Sequence, residues 1–523
     1  MAPESTSDRV AALTERAQVH AVAKDFEQAA ECYLLALELS PGDPDILLQL
    51  SYMASLAGRY RSAHGYAVQA SQLKTQRTEI LKELLSRLRT FNEVPAMLAC
   101  VERMLPMSRI PIPSLIAIAA QLTYAGLPQK AIAFLDEARR ADPEYPPTLL
   151  SRAHVLMFLG RFAEAGEDIS RTLTRAPQIA QAYWLQSQVR KQTASENHLA
   201  QIRAQLLVPQ RSAQDRALLA FALHKELDDL GRHEEAWHAL QEACASKRSS
   251  LRYDAARSRE VFERLLRFAP HPMPMRPQPD LHATPVFIVG MHRSGTTLIE
   301  QLLDGHSDVR GLGELYDFTS AMRYATDHHC AGVTDPEIIA RATTVDFSAA
   351  GERYLEGVAW RLCGERHFTD KLPSNFLNVG FICEALPQAK IVHMVRDPME
   401  TCFSNLREIF SDANPYSYDQ FELADFYGYY RRLMAHWHAR YPGRILDVDY
   451  AQLTREPEQV VRRVCNFVGI AFEPQMLGMQ SRTRGIVTAS AVQVRDRIRV
   501  QETPKWRAYE RYLAPLRERL GYE

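Results

Sequence analysis

The sequence predicts an α plus α/β chain, in which a helical solenoid is followed by an α/β domain on a parallel sheet. Three observations predict it. A helix-start pattern recurs every 34 residues through the first third of the chain. A segment crowded with prolines follows near the middle. Beyond it, short apolar, β-branched runs alternate with helical patterns, as strands and crossover helices do in a parallel sheet.

The repeat is read from a small or acidic residue, an aromatic or apolar residue, then an Ala-rich helix. It occurs at Lys24-Asp25-Phe26, Gly58-Arg59-Tyr60, Gly126-Leu127-Pro128 and Gly160-Arg161-Phe162. The third members fall at 26, 60, 128 and 162, with steps of 34, 68 and 34. The missing member, at Val94, lies in a degenerate stretch, FNEVPAMLACVERML. A drifted copy stands at Leu230-Gly231-Arg232-His233. Pro41, Pro143 and Pro177 close three second helices. Ile110 to Leu127 carries no charge for 18 residues, but two prolines, Gln121 and the repeat phase make it a solenoid helix rather than a membrane span. Paired helices at this period resemble the tetratricopeptide repeat, which stacks into a superhelix with a concave face for extended peptides or another protein. That implies recruitment of a substrate or of a protein partner, or self-association into a homo-oligomer; a scaffold that only stabilises its neighbour is the plainer alternative.

Pro270 to Pro285, PHPMPMRPQPDLHATP, holds six prolines and cannot be helix or sheet interior. The expected division is a solenoid at 1–268, a Pro-rich linker at 269–284 and a second domain at 285–523, each half large enough for its own core.

The second domain opens with PVFIVGMHRSGTTLIEQLL, Pro285 to Leu303. Val286 to Val289 reads as a buried strand, Gly290 and Gly295 flank a tight turn, and Thr296 and Thr297 open a helix. Such a turn aims several N–H groups at one point beside the positive end of the helix dipole, so an anion belongs there. The spacing G-x-x-x-x-G is that of a nucleoside-triphosphate loop, but that motif needs Lys after the second glycine. Here that place is Thr296 and the nearest cation is Arg293. A cation on the loop itself suits a short phosphate or phosphosulfate tail.

A second strand is expected over Ala389 to Val395, ending at Arg396-Asp397-Pro398 with Ser404 eight residues after the arginine. An arginine at a strand end can fork onto a phosphate, and a serine two helical turns later can add a hydroxyl.

HRSGTTL, His292 to Leu298, resembles the 5′-phosphosulfate loop of the sulfotransferase superfamily, with Arg for Lys as in the tyrosylprotein sulfotransferases. The Arg396–Ser404 pair resembles that superfamily's 3′-phosphate motif. The resemblance covers roughly the C-terminal half. It implies a P-loop-like α/β sulfotransferase domain using 3′-phosphoadenosine 5′-phosphosulfate (PAPS) as co-substrate, with no metal. Arg293, Ser294, Gly295, Thr296 and Thr297 would then hold the 5′-phosphosulfate, and Arg396 and Ser404 the 3′-phosphate. Glu314, in Gly311-Leu312-Gly313-Glu314, is implied as the base on the acceptor. Lys371, in Phe368 to Pro373, and Ser490, in Thr488 to Val494, are implied to stabilise charge on the transferring group and leaving oxygen. Tyr450 would contact the nucleotide and Lys505 would close over the phosphates, whereas Trp506 and Tyr509 are expected to pack. Four residues after Ser404 the sequence has Glu408 where the tyrosylprotein enzymes have Arg, and Arg407 is out of step.

Composition excludes several classes. With 62 basic and 63 acidic residues there is no electrostatic footprint for nucleic acid or an anionic membrane. Eight scattered cysteines without a C-x-x-C pair predict reduced thiols and no structural zinc. Residues 1–30 show no apolar secretory core, so a cytoplasmic protein is expected. The acceptor stays open between a protein tyrosine and a carbohydrate, lipid or small metabolite. Two other readings stay open: a magnesium-dependent kinase on the same loop, and a non-catalytic repeat adaptor with an inactive transferase fold.

Overall fold

The computed structural model describes residues 5–271, 283–478 and 503–522. In its first part, α1 (Thr6–Val22) pairs with α2 (Phe26–Leu39), α3 (Pro44–Leu56) with α4 (Tyr60–Gln72), and α5 (Thr78–Thr90) with α6 (Val94–Arg103). α7 (Ile112–Tyr124) pairs with α8 (Pro128–Ala141), and α9 (Pro146–Leu159) with α10 (Phe162–Arg175). α11 (Ala180–Val189) and α12 (Leu199–Leu206) lead to the pair α13 (Ala213–Asp229) and α14 (His233–Ser249), then α15 (Ala255–Leu266).

The second helices of the first five pairs begin at 26, 60, 94, 128 and 162, so Val94 starts a helix at the place where the sequence pattern lapses. What lapsed there is only the turn signature. α6 keeps Val94, Met97, Cys100 and Val101 on its buried face, which is all that stacking requires. The turns also keep step through the backbone: residues 24, 58, 92, 126 and 160 all have φ between 61° and 76°. Glycine fills three of these left-handed positions; Lys24 and Asn92 take the other two, at the modest strain that Asn in particular tolerates.

The second part is a five-stranded sheet of order β2-β3-β1-β4-β5. The strands are β1 (Thr284–Gly290), β2 (Val309–Gly311), β3 (His367–Asp370), β4 (Lys390–Val395) and β5 (Ile445–Asp449), and every pairing is parallel. α16 (Thr296–Leu303) follows β1. Then come α17 (Asp317–Thr326), α18 (Pro336–Ala342) and α19 (Phe347–Ala359) before β3, and α20 (Val379–Ala385) before β4. α21 (Pro398–Leu406) and the long α22 (Gln420–Arg440) separate β4 from β5; α23 (Tyr450–Arg455), α24 (Pro457–Val468) and α25 (Ala514–Leu520) follow. The chain moves to one side of β1 for β2 and β3 and to the other for β4 and β5. This puts a topological switch at the carboxyl ends of β1 and β4, where open α/β sheets hold ligands.

Besides buried clusters of their own, the two parts share a core. A single buried cluster joins Trp237, Phe262, Leu265 and Phe268 to Phe376, Phe381, Phe426 and Tyr509. Phe268 meets Phe381 edge-on at 4.9 Å, and Trp237 stacks on Tyr512 at 5.0 Å. At the other end of the solenoid, Arg61 donates to the carbonyls of Tyr324 and Ala325 (2.8 and 2.7 Å), and Ser320 Oγ donates to that of Phe91 (2.8 Å). The repeats therefore clamp the α/β domain at two places. Most of the proline-rich linker, 272–282, lies outside the described residues. All eight cysteines are free thiols, seven of them buried. Among the described residues no helix is long and apolar enough to cross a membrane.

Candidate active site

The loop after β1 bends through two unusual backbone conformations, Arg293 at φ 68° and Gly295 at φ 102°. A Cβ on Gly295 would stand 2.4 Å from Cδ2 of Tyr450, and one on Gly290 would stand 2.7 Å from the Met394 carbonyl. Only glycine lets the turn close against β4 and Tyr450. Ser294, Thr296 and Thr297 are buried at the start of α16, and among the described residues the Ser294 hydroxyl has no hydrogen-bond partner. An unsatisfied buried hydroxyl beside open helix N–H groups fits an anion held there.

Arg293 is buried, and that burial, against the opposing pull of Glu408, draws its guanidinium below the usual range. Its Nε donates to Ser404 Oγ at 3.3 Å, and Nη1 lies 3.5 Å from Glu408. Arg396 Nη1 donates to the Arg293 carbonyl at 3.3 Å and Nε to Glu400 at 2.9 Å, with the guanidinium over the Tyr450 ring at 4.3 Å. The loop, Arg396, Ser404 and Tyr450 are thus one cluster. Lys505 stands against the same cations: burial first, then Arg407 and Arg293, lower its pKa. Ser490 lies outside the described residues.

The other arm comes from β2 and β3. Leu312 N donates to the Thr369 carbonyl (3.2 Å) and Lys371 N to that of Gly313 (2.9 Å), so the two strand ends run on in register. Glu314 and Lys371 then meet side chain to side chain, Nζ to Oε1 at 2.7 Å. His292, next to Arg293, is half-buried; burial, with Lys371 and Arg293, pushes it down to about 4 against the pull of Glu314, so it is neutral.

Each of the five strands carries one predicted residue just beyond its carboxyl end. Read across the sheet, they are Glu314, Lys371, Arg293, Arg396 and Tyr450. At about 4.8 Å between strands, this row extends roughly 19 Å.

Two contributors, Glu300 and Asn405, were not singled out from the sequence, and a third, Arg407, was noted there only as out of step. Glu300, on α16, accepts from Gly313 N (2.8 Å) and Thr369 Oγ1 (3.1 Å), tying the Glu314 loop to β3. Its signal was a lone carboxylate within the apolar run TTLIEQLL. Asn405 Nδ2 donates to the His292 carbonyl at 2.7 Å and props the anion loop from α21. Arg407 turns away to the solenoid, with Nη2 on Asp228 at 2.5 Å and Nε on His224 Nε2 at 3.0 Å. Glu408 faces Arg293 instead, so the departure noted in the sequence places a carboxylate beside the loop cation.

Residues 285–474 match the Sulfotransferase family. An uncharacterized protein of Aquifex aeolicus (strain VF5) is 30% identical over 401 residues, covering 74% of this chain and 52% of that protein, so the chain spans about half of that relative's length. Protein-tyrosine sulfotransferase 2 of Gallus gallus is 26% identical over 276 residues, covering 46% of this chain and 69% of the relative. Among solved structures, the sulfotransferase domain of the Synechococcus PCC 7002 olefin synthase is similar at 20% identity and a TM-score of 0.29, over 46% of this chain and 98% of that domain. YrrB, a TPR protein with an unusual peptide-binding site, is similar at 14% identity and a TM-score of 0.26, over 40% and 98%.

Proposed function

We propose that the chain is a sulfotransferase that moves a sulfuryl group from PAPS to an acceptor hydroxyl. The observation that carries this reading is the order of residues along the sheet: acceptor base, charge-stabilising lysine, anion loop, phosphate arginine and nucleotide-facing tyrosine in one row. The family match over residues 285–474 supports the same chemistry.

The donor supplies an activated sulfuryl group on a phosphate leaving oxygen. The N–H groups of the 293–297 loop and the Ser294 hydroxyl would hold the 5′ end, and Arg396 with Ser404 the 3′-phosphate. Glu314 would take the acceptor's proton as the acceptor oxygen bonds to sulfur and the bond from sulfur to the bridging oxygen breaks. Lys371, buried just beyond β3, would stabilise the charge that grows on the sulfuryl and leaving oxygens. Arg293 faces the same region. Glu408 beside it would be displaced or protonated when a dianion arrives; burial already raises its pKa, against Arg293 and Arg407.

The named protein-tyrosine relatives favour a protein tyrosine over a carbohydrate, lipid or small metabolite as acceptor. Calorimetric titration with 3′-phosphoadenosine 5′-phosphate beside AMP and ATP, without added metal, tests the donor assignment. Micromolar binding of the first alone is expected; equal or tighter binding of ATP would overturn it.

A further inference from the structure

A cavity of about 1010 Å³ lies between the solenoid and the α/β domain. One wall is the loop Arg310 to Tyr316, including Glu314. The other comes from the first helices of successive pairs: Ile116, Ala120 and Tyr124 on α7, and Leu150, His154 and Phe158 on α9. We infer that this cavity is the acceptor site, that α7 and α9 form half of it, and that it takes an acceptor carrying its hydroxyl on an apolar, ring-bearing body. The inference rests on the sulfotransferase reading and adds to it which residues select the acceptor.

Three observations converge. The cavity reaches the carboxylate at the acceptor end of the strand row, so a molecule within it presents one end to Glu314. The solenoid wall is mainly aliphatic and aromatic and carries no charged side chain, which suits an apolar body, while Glu300, Arg310, Glu314 and Arg361 keep the charges on the opposite wall. Aromatic side chains also stand open on both walls. Tyr124, with the Arg89 guanidinium 5.0 Å from its ring centroid, is 71% exposed and Tyr316 47% exposed, while His154, 4.7 Å from Phe158, is exposed on the cavity wall. Rings with a face or edge open to one space offer contacts to another ring. A phenolic hydroxyl also suits the base, since a carboxylate removes a proton more readily from a phenol than from an alkyl alcohol.

The test uses the full chain with Ala120→Trp. Ala120 is exposed on α7, so the indole fills the cavity without entering the core. With 3′-phosphoadenosine 5′-phosphate bound, calorimetry measures 2-naphthol and a short tyrosine peptide against wild type and variant. The expected result is that wild type binds at least one probe and that Ala120→Trp weakens it tenfold or more. Donor-product affinity should stay within twofold and Tm unchanged. Binding of naphthol alone identifies a free phenol as the source, and binding of the peptide identifies a polypeptide; either supports the inference. Equal affinity in wild type and variant, or no binding of either probe to a wild type that binds donor product, overturns it. Failure of the wild type to bind donor product overturns the sulfotransferase reading as well.

Discussion

Lys371 Nζ donates to Glu314 Oε1 across 2.7 Å, pinning the end of β3 to the loop after β2, with the lysine buried and the carboxylate one-third exposed. A buried ammonium with one carboxylate partner is placed to change partners when a new anion forms beside it. Lys371→Ala should therefore lower turnover about 10²-fold or more, the scale of losing one charge-stabilising donor. Glu314→Gln should remove the base while keeping an acceptor oxygen near Lys371. Single-turnover kinetics with bound donor should show both losses in the chemical step, with little change in donor affinity.

Gly295 has no room for a methyl group, because Tyr450 Cδ2 would lie 2.4 Å away and φ is 102°. Gly295→Ala must strain the turn or push Tyr450 aside, at about 2 kcal/mol. The expected outcome is a lower Tm and an affinity for 3′-phosphoadenosine 5′-phosphate too weak for calorimetry. Thermal unfolding with and without that ligand checks both.

Arg396 should separate nucleotides that differ only at the 3′ position. A charge-assisted hydrogen bond contributes about 1.5–3 kcal/mol, so Arg396→Ala should weaken 3′-phosphoadenosine 5′-phosphate by roughly 10–100-fold. AMP, which lacks the 3′-phosphate, should lose much less. Parallel titrations of the two nucleotides measure the difference.

His224 makes the inter-part contact sensitive to acid. Its Nδ1 faces the Ala236 carbonyl (2.8 Å) and its Nε2 accepts from Arg407 (3.0 Å), so a second ring proton would point at a guanidinium. Burial first, then Arg407, pulls it from 6.5 down to about 3, with Asp228 opposing. The unfolded chain thus binds a proton that the folded chain refuses, and stability falls as pH drops below 6.5, by about 1.4 kcal/mol per pH unit until near the folded value. Asp228 behaves in the same direction at lower pH. Burial raises it, but Arg407, His224 and Tyr509 outweigh that and bring it down to about 2, so its contribution is lost from about 3.8 downward. Urea midpoints at pH 7.5 and 5.5 should differ less in His224→Gln than in wild type.

Much of this was legible because it is written locally. The 34-residue phase, the loop from Gly290 to Gly295 and the strand ends at Lys371 and Arg396 each depend on neighbouring residues. The phase survives even at Val94, since a repeat needs its apolar face more than its turn signature. Glu300, Asn405 and the role of Arg407 were not legible, because each acts on a partner 13, 113 or 179 positions away. Nor could any window of sequence reveal that Phe268 and Phe381 lie in one core, or that α7 and α9 face Glu314.

That common core has a practical consequence for anyone dissecting the chain. The proline-rich stretch looks like the natural place to cut, yet a fragment starting at residue 283 would lay bare the surfaces that Trp237, Phe262 and Phe268 cover. Such a fragment should be recovered as aggregate, whereas one beginning near Ala180 takes its lid of helices with it. The visible punctuation of the sequence and the first residue of the shared core fall about a hundred residues apart, and it is packing that sets the second.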